Sequence, residues 1–211
     1  MVVVIDYGMG NLRSVSKALE SLGATVRVSS NPAEVSGAAK LILPGVGAFT
    51  AAMHELASRK LIEPIKAAIQ ADEPYLGICL GLQLLFDSSE EGRGATPGLG
   101  VLRGQVRRFH TNGSGLKVPH MGWNQINGPE PRAPSPQPRC PLLNGISDGS
   151  FVYFVHSYYA APDDRSVTAL ETDYGGRFAS MVWRDNLYAT QFHPEKSQAV
   201  GLRLLKNFID L

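Results

Sequence analysis

Cys79 lies in the run Tyr75-Leu76-Gly77-Ile78-Cys79-Leu80-Gly81-Leu82-Gln83, between a short apolar stretch after Pro74 and a run of helix formers. That context puts the thiol where a strand turns sharply into a helix, a nucleophile elbow. Gly77 and Gly81, two residues to either side, remove the β-carbons that would clash in so tight a bend and let the helix approach the strand. A thiol at that bend faces the positive end of the helix dipole, which favours thiolate. Most free cysteines are small buried hydrophobes, so the elbow alone leaves both readings open. A second segment separates them. His193-Pro194-Glu195 follows the alternating stretch Tyr188-Ala189-Thr190-Gln191-Phe192, with Pro194 expected to stop the strand while His193 and Glu195 leave the same strand end. A carboxylate bonded to one imidazole nitrogen fixes the tautomer, and the other nitrogen can then take the thiol proton. Nucleophile, base and orienter together are the parts of acyl transfer.

Acyl chemistry also needs N–H groups aimed at the developing oxyanion, one after the nucleophile and a second from a neighbouring strand end. Pro44-Gly45-Val46-Gly47-Ala48-Phe49 follows the expected third strand, and its glycines free the backbone for that task. Alone it would read as an ordinary strand-to-helix turn. Gly8-Met9-Gly10-Asn11-Leu12-Arg13 lacks the third glycine of a dinucleotide fingerprint, and there is no phosphate-loop lysine motif. His54, His110, His120 and His156 show no ligand spacing with one another or with the cysteines, so no metal is expected.

The elements that must hold these residues alternate through the first half. Val2 to Ile5 reads as a buried strand; Leu12, Val15, Leu19 and Leu22 recur at helical spacing up to Gly23; Thr25 to Ser29 is a second strand; Asn31-Pro32 opens a short helix; Lys40 to Leu43 is a third strand. Helical stretches over 48–70 lead to the strand into Cys79. This βαβαβα order predicts a parallel sheet with helices on both faces. Beyond about Gly98 the texture becomes strand-like over 101–109, 116–119, 151–159, 167–171, 178–183 and 187–192, read as partly antiparallel hairpins, before a final helix over 198–210. Six prolines fall in the run Pro129 to Pro141, which predicts an extended, solvated loop.

With 211 residues, a net charge of +1 and no membrane-length apolar run, one domain over 1–211 is expected, with no nucleic-acid or membrane surface. The opening valines are too few for a signal sequence, and two cysteines cannot make a disulfide framework, so a reducing, cytoplasmic setting is expected.

Gly-Ile-Cys-Leu-Gly-Leu-Gln with a distant His-Pro-Glu resembles the class I (triad) glutamine amidotransferases. Asp6-Tyr7-Gly8-Met9-Gly10-Asn11, Pro44 to Phe49, Pro119-His120-Met121-Gly122-Trp123-Asn124, Phe154-Val155-His156-Ser157-Tyr158-Tyr159 and His193 to Ser197 are similar to the glutaminase subunits of imidazole glycerol phosphate synthase, from end to end of the chain. The departure is the proline-rich loop, longer than the family norm. The resemblance implies a flavodoxin-like α/β fold with a central, mostly parallel sheet and antiparallel hairpins in the C-terminal half. It implies Cys79, His193 and Glu195 as the triad, and an oxyanion hole from the amides of Leu80 and, after a peptide flip, Val46. Gly45, Gly47, Gln83, Glu91, His156, Ser157 and Tyr158 would line the glutamine pocket, though Gln83 also reads as a polar turn of the elbow helix and Glu91 as a solvated loop acid. Asn11, Trp123, Tyr153 and Lys196 would face a partner, the (β/α)₈-barrel cyclase subunit, in a heterodimer. No cofactor is implied. Other triad amidotransferases, such as anthranilate, carbamoyl-phosphate or pyridoxal-phosphate synthase subunits, and γ-glutamyl hydrolases share the Cys-His-Glu logic but are expected to lack Pro-Gly-Val-Gly-Ala-Phe and Pro-His-Met-Gly-Trp-Asn. A non-catalytic relative would not keep an intact triad.

Overall fold

The structure, a computed structural model, describes residues 1–92, 94–110, 115–129 and 139–211. Most of the proline-rich loop lies outside them.

The elements are β1 (Val2–Ile5), α1 (Leu12–Ser21), β2 (Val26–Ser29), α2 (Pro32–Ser36), β3 (Leu41–Gly45), α3 (Phe49–Ser58), α4 (Ile62–Gln70), β4 (Tyr75–Cys79), α5 (Leu80–Gln83), β5 (Phe86–Ser89), β6 (Thr96–Pro97), β7 (Leu102–Arg108), β8 (His120–Ile126), β9 (Ser150–His156), β10 (Tyr158–Pro162), β11 (Thr168–Asp173), β12 (Arg177–Arg184), β13 (Leu187–Thr190) and α6 (Gln198–Asp210). Seven strands form the main sheet in the order β11-β12-β13-β4-β3-β1-β2. β2, β1, β3, β4 and β13 run parallel, while β12 and β11 close one side antiparallel. The strand bearing Cys79 is therefore flanked by β3, which leads into Val46, and by β13, which leads towards His193.

The continuous apolar runs of β1, β3 and β4 follow from burial on both faces. Val3, Ile5, Leu41, Leu43 and Tyr75 pack on one side with Val35, Leu56 and Ile65 from α2, α3 and α4. Val2, Val4, Ile42, Leu76 and Ile78 pack on the other with Val15 and Leu19 of α1, Leu204, Leu205 and Phe208 of α6, and the inward residues Val152 and Phe154 of β9. Asn31 caps α2 through Ala33 N, and Pro32 occupies its first turn, as the Asn-Pro pair predicts. No helix among the described residues is long and apolar enough to cross a membrane.

Several expectations shift. The helix after Cys79 is one turn long, because Phe86 leaves it to pair with Leu102 in a second sheet of order β10-β7-β5-β6. Cross-strand pairing there overrides helix propensity. The strand expected over 116–119 lies instead at β8, and the run over 151–159 breaks at Ser157 into β9, paired with β8, and β10, paired with β7. The break lets one continuous segment serve two sheets, with the Ser157 carbonyl accepting the Phe109 N–H at 3.1 Å.

Candidate active site

Cys79 ends β4 with φ 55° and ψ −105°, a conformation that costs a non-glycine residue about 1–3 kcal/mol and persists only where the surroundings enforce it. The surroundings here are glycines. A Cβ at Gly77 would stand 2.6 Å from the Gly81 carbonyl oxygen, and one at Gly81 would overlap the carbonyl of Leu43 in β3. Gly45 is packed as tightly, since a Cβ there would meet the Tyr7 hydroxyl at 2.5 Å and the Leu80 Cβ at 2.8 Å. The glycines expected to permit the elbow are the points where strand, helix and neighbouring strand touch.

His193 and Glu195 do not leave a strand end. β13 stops at Thr190, and the two residues sit on a 3₁₀ turn, Pro194–Lys196, with His193 just before it. Pro194 starts that turn rather than only ending a strand, which fits its fixed φ at a first helical position. Inside the turn, His193 Nδ1 meets Glu195 Oε1 at 2.9 Å, with both side chains about 2% exposed or less. The turn is held from two sides: His193 N donates to the Tyr153 carbonyl at 3.0 Å, and the Ser197 hydroxyl donates to the His193 carbonyl at 2.6 Å.

Burial works against an imidazolium, but the Cys79 sulfur and the Glu195 carboxylate outweigh it and push His193 up to about 10. His193 Nε2 meets no full hydrogen-bond geometry with any described residue, although the sulfur is near enough to raise its proton affinity. A protonated imidazole beside the sulfur supplies the positive charge that a one-turn helix supplies only weakly.

The register Gly45↔Cys79 sets the segment Val46-Gly47 alongside Cys79, with Val46 exposed and Gly47 at φ +102°. Leu80 opens α5, so its N–H has no intrahelical acceptor.

The other expected pocket residues separate. Gln83 is buried and engaged: its Nε2 donates to the Tyr158 carbonyl at 2.9 Å and to Gln191 Oε1 at 3.1 Å. Glu91 is not simply a solvated acid, for its Oε2 accepts the Phe49 N–H at 2.7 Å and caps α3. Ser157 and Tyr158 form the junction between β9 and β10, and His156 ends β9 beside them. His156 Nδ1 donates to the Tyr158 carbonyl at 2.8 Å, so its Nε2 accepts from His120 Nδ1 at 3.0 Å, and His120 Nε2 in turn faces Asn124 Nδ2 at 3.2 Å. Burial lowers both rings, His120 to about 4 and His156 to about 3, which keeps this chain neutral. Their spacing in sequence showed no such pairing; the β8–β9 register His120↔His156 makes it.

On the outer face of the same hairpin, Trp123 and Tyr153 meet edge to face at 6.2 Å, and Lys196 Nζ lies 5.8 Å over the Tyr153 ring. Met121, Trp123 and Phe151 are exposed, and the β8–β9 register puts them on one face of the hairpin. Asn11 caps α1 by accepting the Ser14 N–H at 3.3 Å.

Sequence reasoning missed Gln191. It is fully buried, and its Nε2 donates to the Cys79 sulfur at 3.7 Å. It lies just past β13, and nothing local marked a partner 112 positions away.

Set beside known proteins, residues 3–211 match the family model for glutamine amidotransferase class-I. The chain is 54% identical to the imidazole glycerol phosphate synthase subunit HisH of Syntrophotalea carbinolica, with all of both chains covered, and 52% identical to that of Nitrosococcus oceani, covering 99% of this chain and 96% of the other. Among solved structures, a crystal structure of glutamine amidotransferase aligns with a TM-score of 0.73 at 20% identity, covering 100% of this chain and 98% of that one. PurLQS from Thermotoga maritima aligns with a TM-score of 0.72 at 19% identity, covering 99% and 97%, and these two likenesses bear on the fold. The chain belongs to the class-I glutamine amidotransferases and, among them, to the family of imidazole glycerol phosphate synthase HisH subunits.

Proposed function

We propose that the chain is the glutaminase subunit of an imidazole glycerol phosphate synthase in histidine biosynthesis, with Cys79, His193 and Glu195 as its triad. The observation that carries the reading is the buried His193–Glu195 pair on a rigid turn next to a strained Cys79 at the end of β4. Cys79 Sγ attacks the carbonyl carbon of the glutamine side-chain amide. The C–N bond then breaks, with His193 Nε2 giving its proton to the departing nitrogen. Ammonia leaves and a γ-glutamyl thioester remains. Water, deprotonated by His193, attacks the thioester; the C–S bond breaks and glutamate departs, so glutamine and water become glutamate and ammonia. Glu195 holds the imidazole in one tautomer throughout.

The oxyanion is held by the Leu80 N–H and by the Val46 N–H, turned inwards by rotation of a peptide that Gly45 and Gly47 leave free. Gly45, Gly47, Glu91, His156, Ser157 and Tyr158 form or support the glutamine pocket, while the buried Gln83 serves it from beneath. The whole of 1–211 acts as one unit, in the cytoplasm. Ammonia passes to a cyclase subunit of (β/α)₈ architecture that docks on the face carrying Asn11, Trp123, Tyr153 and Lys196, where exposed aromatic surface supports a protein partner.

The test is glutamate release by the chain alone and mixed with a cyclase subunit, with and without acceptor. Low activity alone and a rise of roughly a hundred- to a thousandfold with partner and acceptor are expected, the effect of one oxyanion donor. Cys79→Ala should abolish release while the complex still turns over with ammonium salts. Full activity of the isolated chain, indifferent to partner, would favour a free-standing γ-glutamyl hydrolase.

A further inference from the structure

Among the described residues, two groups besides the imidazole meet the Cys79 sulfur at hydrogen-bonding distance, and they pull in opposite directions; the buried Tyr7 phenol is a further titratable group near enough for the sulfur to raise it. The Val155 carbonyl stands 3.9 Å away and can only accept, so it favours the thiol. The Gln191 Nε2 at 3.7 Å can only donate, so it favours the thiolate.

The orientation of that amide is fixed by a chain of contacts with one polarity. The Tyr158 carbonyl is an acceptor, so the group that Gln83 turns to it at 2.9 Å is its NH₂. The second N–H of the same nitrogen reaches Gln191 at 3.1 Å, so the Gln191 atom there is its oxygen. The Gln191 nitrogen is then left facing the sulfur. Turning the Gln191 amide over would set NH₂ against NH₂ on one side and oxygen against a thiolate on the other. Tyr158 itself is pinned by His156, whose Nδ1 takes the other lone pair of the same carbonyl at 2.8 Å. Gln83 and Gln191 are buried, so no solvent competes for these bonds.

We propose that the Gln191 carboxamide is a fixed hydrogen-bond donor to the Cys79 sulfur, held in that orientation by Gln83, and that the pair sustains and positions the thiolate. This rests on Cys79 being the nucleophile. It assigns Gln191 a contact with the reacting atom, and it makes Gln83 a positioning residue that acts through Gln191.

The test reads the sulfur directly. Alkylation of the full-length chain by iodoacetamide is followed across pH on the Cys79 peptide by mass spectrometry, which separates it from buried Cys140. Gln191→Leu should slow alkylation at neutral pH by about ten- to a hundredfold, the loss of a hydrogen bond to a charged group, and move the rate profile to higher pH. Gln191→Glu, nearly the same size and still an acceptor for Gln83, should slow it further by setting a carboxylate against the sulfur; it decides the matter if the leucine variant fails to fold by circular dichroism. Gln83→Leu should slow alkylation less, and its effect should vanish in the Gln191→Leu background. Alkylation unchanged in the Gln191 variants overturns the proposal, as does a Gln83 effect that survives without Gln191. The parent reading fails by a different sign: glutamine hydrolysis that continues after Cys79 is fully alkylated.

Discussion

The Ser197 hydroxyl donates to the carbonyl of His193 at 2.6 Å while accepting the Tyr153 N–H at 3.0 Å. One buried oxygen thus ties the turn that carries the imidazole to β9, whose hairpin partner carries the exposed Trp123. Ser197→Ala leaves the Tyr153 N–H without its acceptor, which costs about 1–3 kcal/mol. The expected outcome is a Tm lowered by roughly 3–8 °C and a lower kcat with KM little changed, since what loosens is the base and not the glutamine pocket. Calorimetry and glutamate-release kinetics check it; unchanged values of both would mean the turn is held without this bond.

Glu195→Gln keeps the shape of the turn but removes the charge that favours the imidazolium. A loss of roughly a hundred- to ten-thousandfold in kcat is expected, together with a lower pKa for His193 by NMR. A wild-type rate would reduce Glu195 to a structural acid.

Gly81→Ala should be among the most damaging single changes, because its Cβ would overlap the Leu43 carbonyl, part of a backbone pinned within the sheet. Loss of about 3 kcal/mol or more, or failure to accumulate as soluble protein, is expected. Gly23→Ala is the matched control: its φ of +87° strains an alanine, but nothing lies within 4 Å, so about 1–2 kcal/mol should be lost. Urea denaturation of the two variants compares them, and equal losses would remove the steric account of the elbow.

The histidines pull the stability curve in opposite directions. His193 is raised to about 10 in the folded chain, so its contribution is fully present below the unfolded value near 6.5 and is lost as pH rises towards 10. His120 and His156, lowered to about 4 and about 3, resist a proton that the unfolded chain takes readily, so they cost stability increasingly as pH falls below about 6.5. Unfolding free energies of the wild type and of His193→Asn should therefore converge between pH 6.5 and 10, and His120→Asn should flatten the acid side. Parallel curves throughout would contradict both assignments.

What was legible in the sequence was local. The glycines around Cys79, the Pro-Gly-Val-Gly turn and the His-Pro-Glu segment each carry their reason within a few residues, and the parallel half of the fold follows from runs buried on both faces. What could not be read depends on pairing between distant segments. β5 was hidden inside a run of helix formers because its partner Leu102 lies past a turn, and β8 was not read as a strand because its inward His120 and Asn124 are polar. Gln191 and Gln83 find each other across 108 positions, and no spacing in one dimension announces that.

The order of the central strands sets when the site can exist. β4 is made early, yet β13, its neighbour on one side, lies more than a hundred residues later, and the turn with His193 and Glu195 later still. A nascent chain that has not reached His193 therefore carries the sulfur without the imidazole, and because β13 joins β4 to β12, the stretch of sheet that links the two is also the one that leads to the imidazole. On the triad proposed above, a fragment cut short before His193 is inert towards glutamine, however well β1 to β4 have formed.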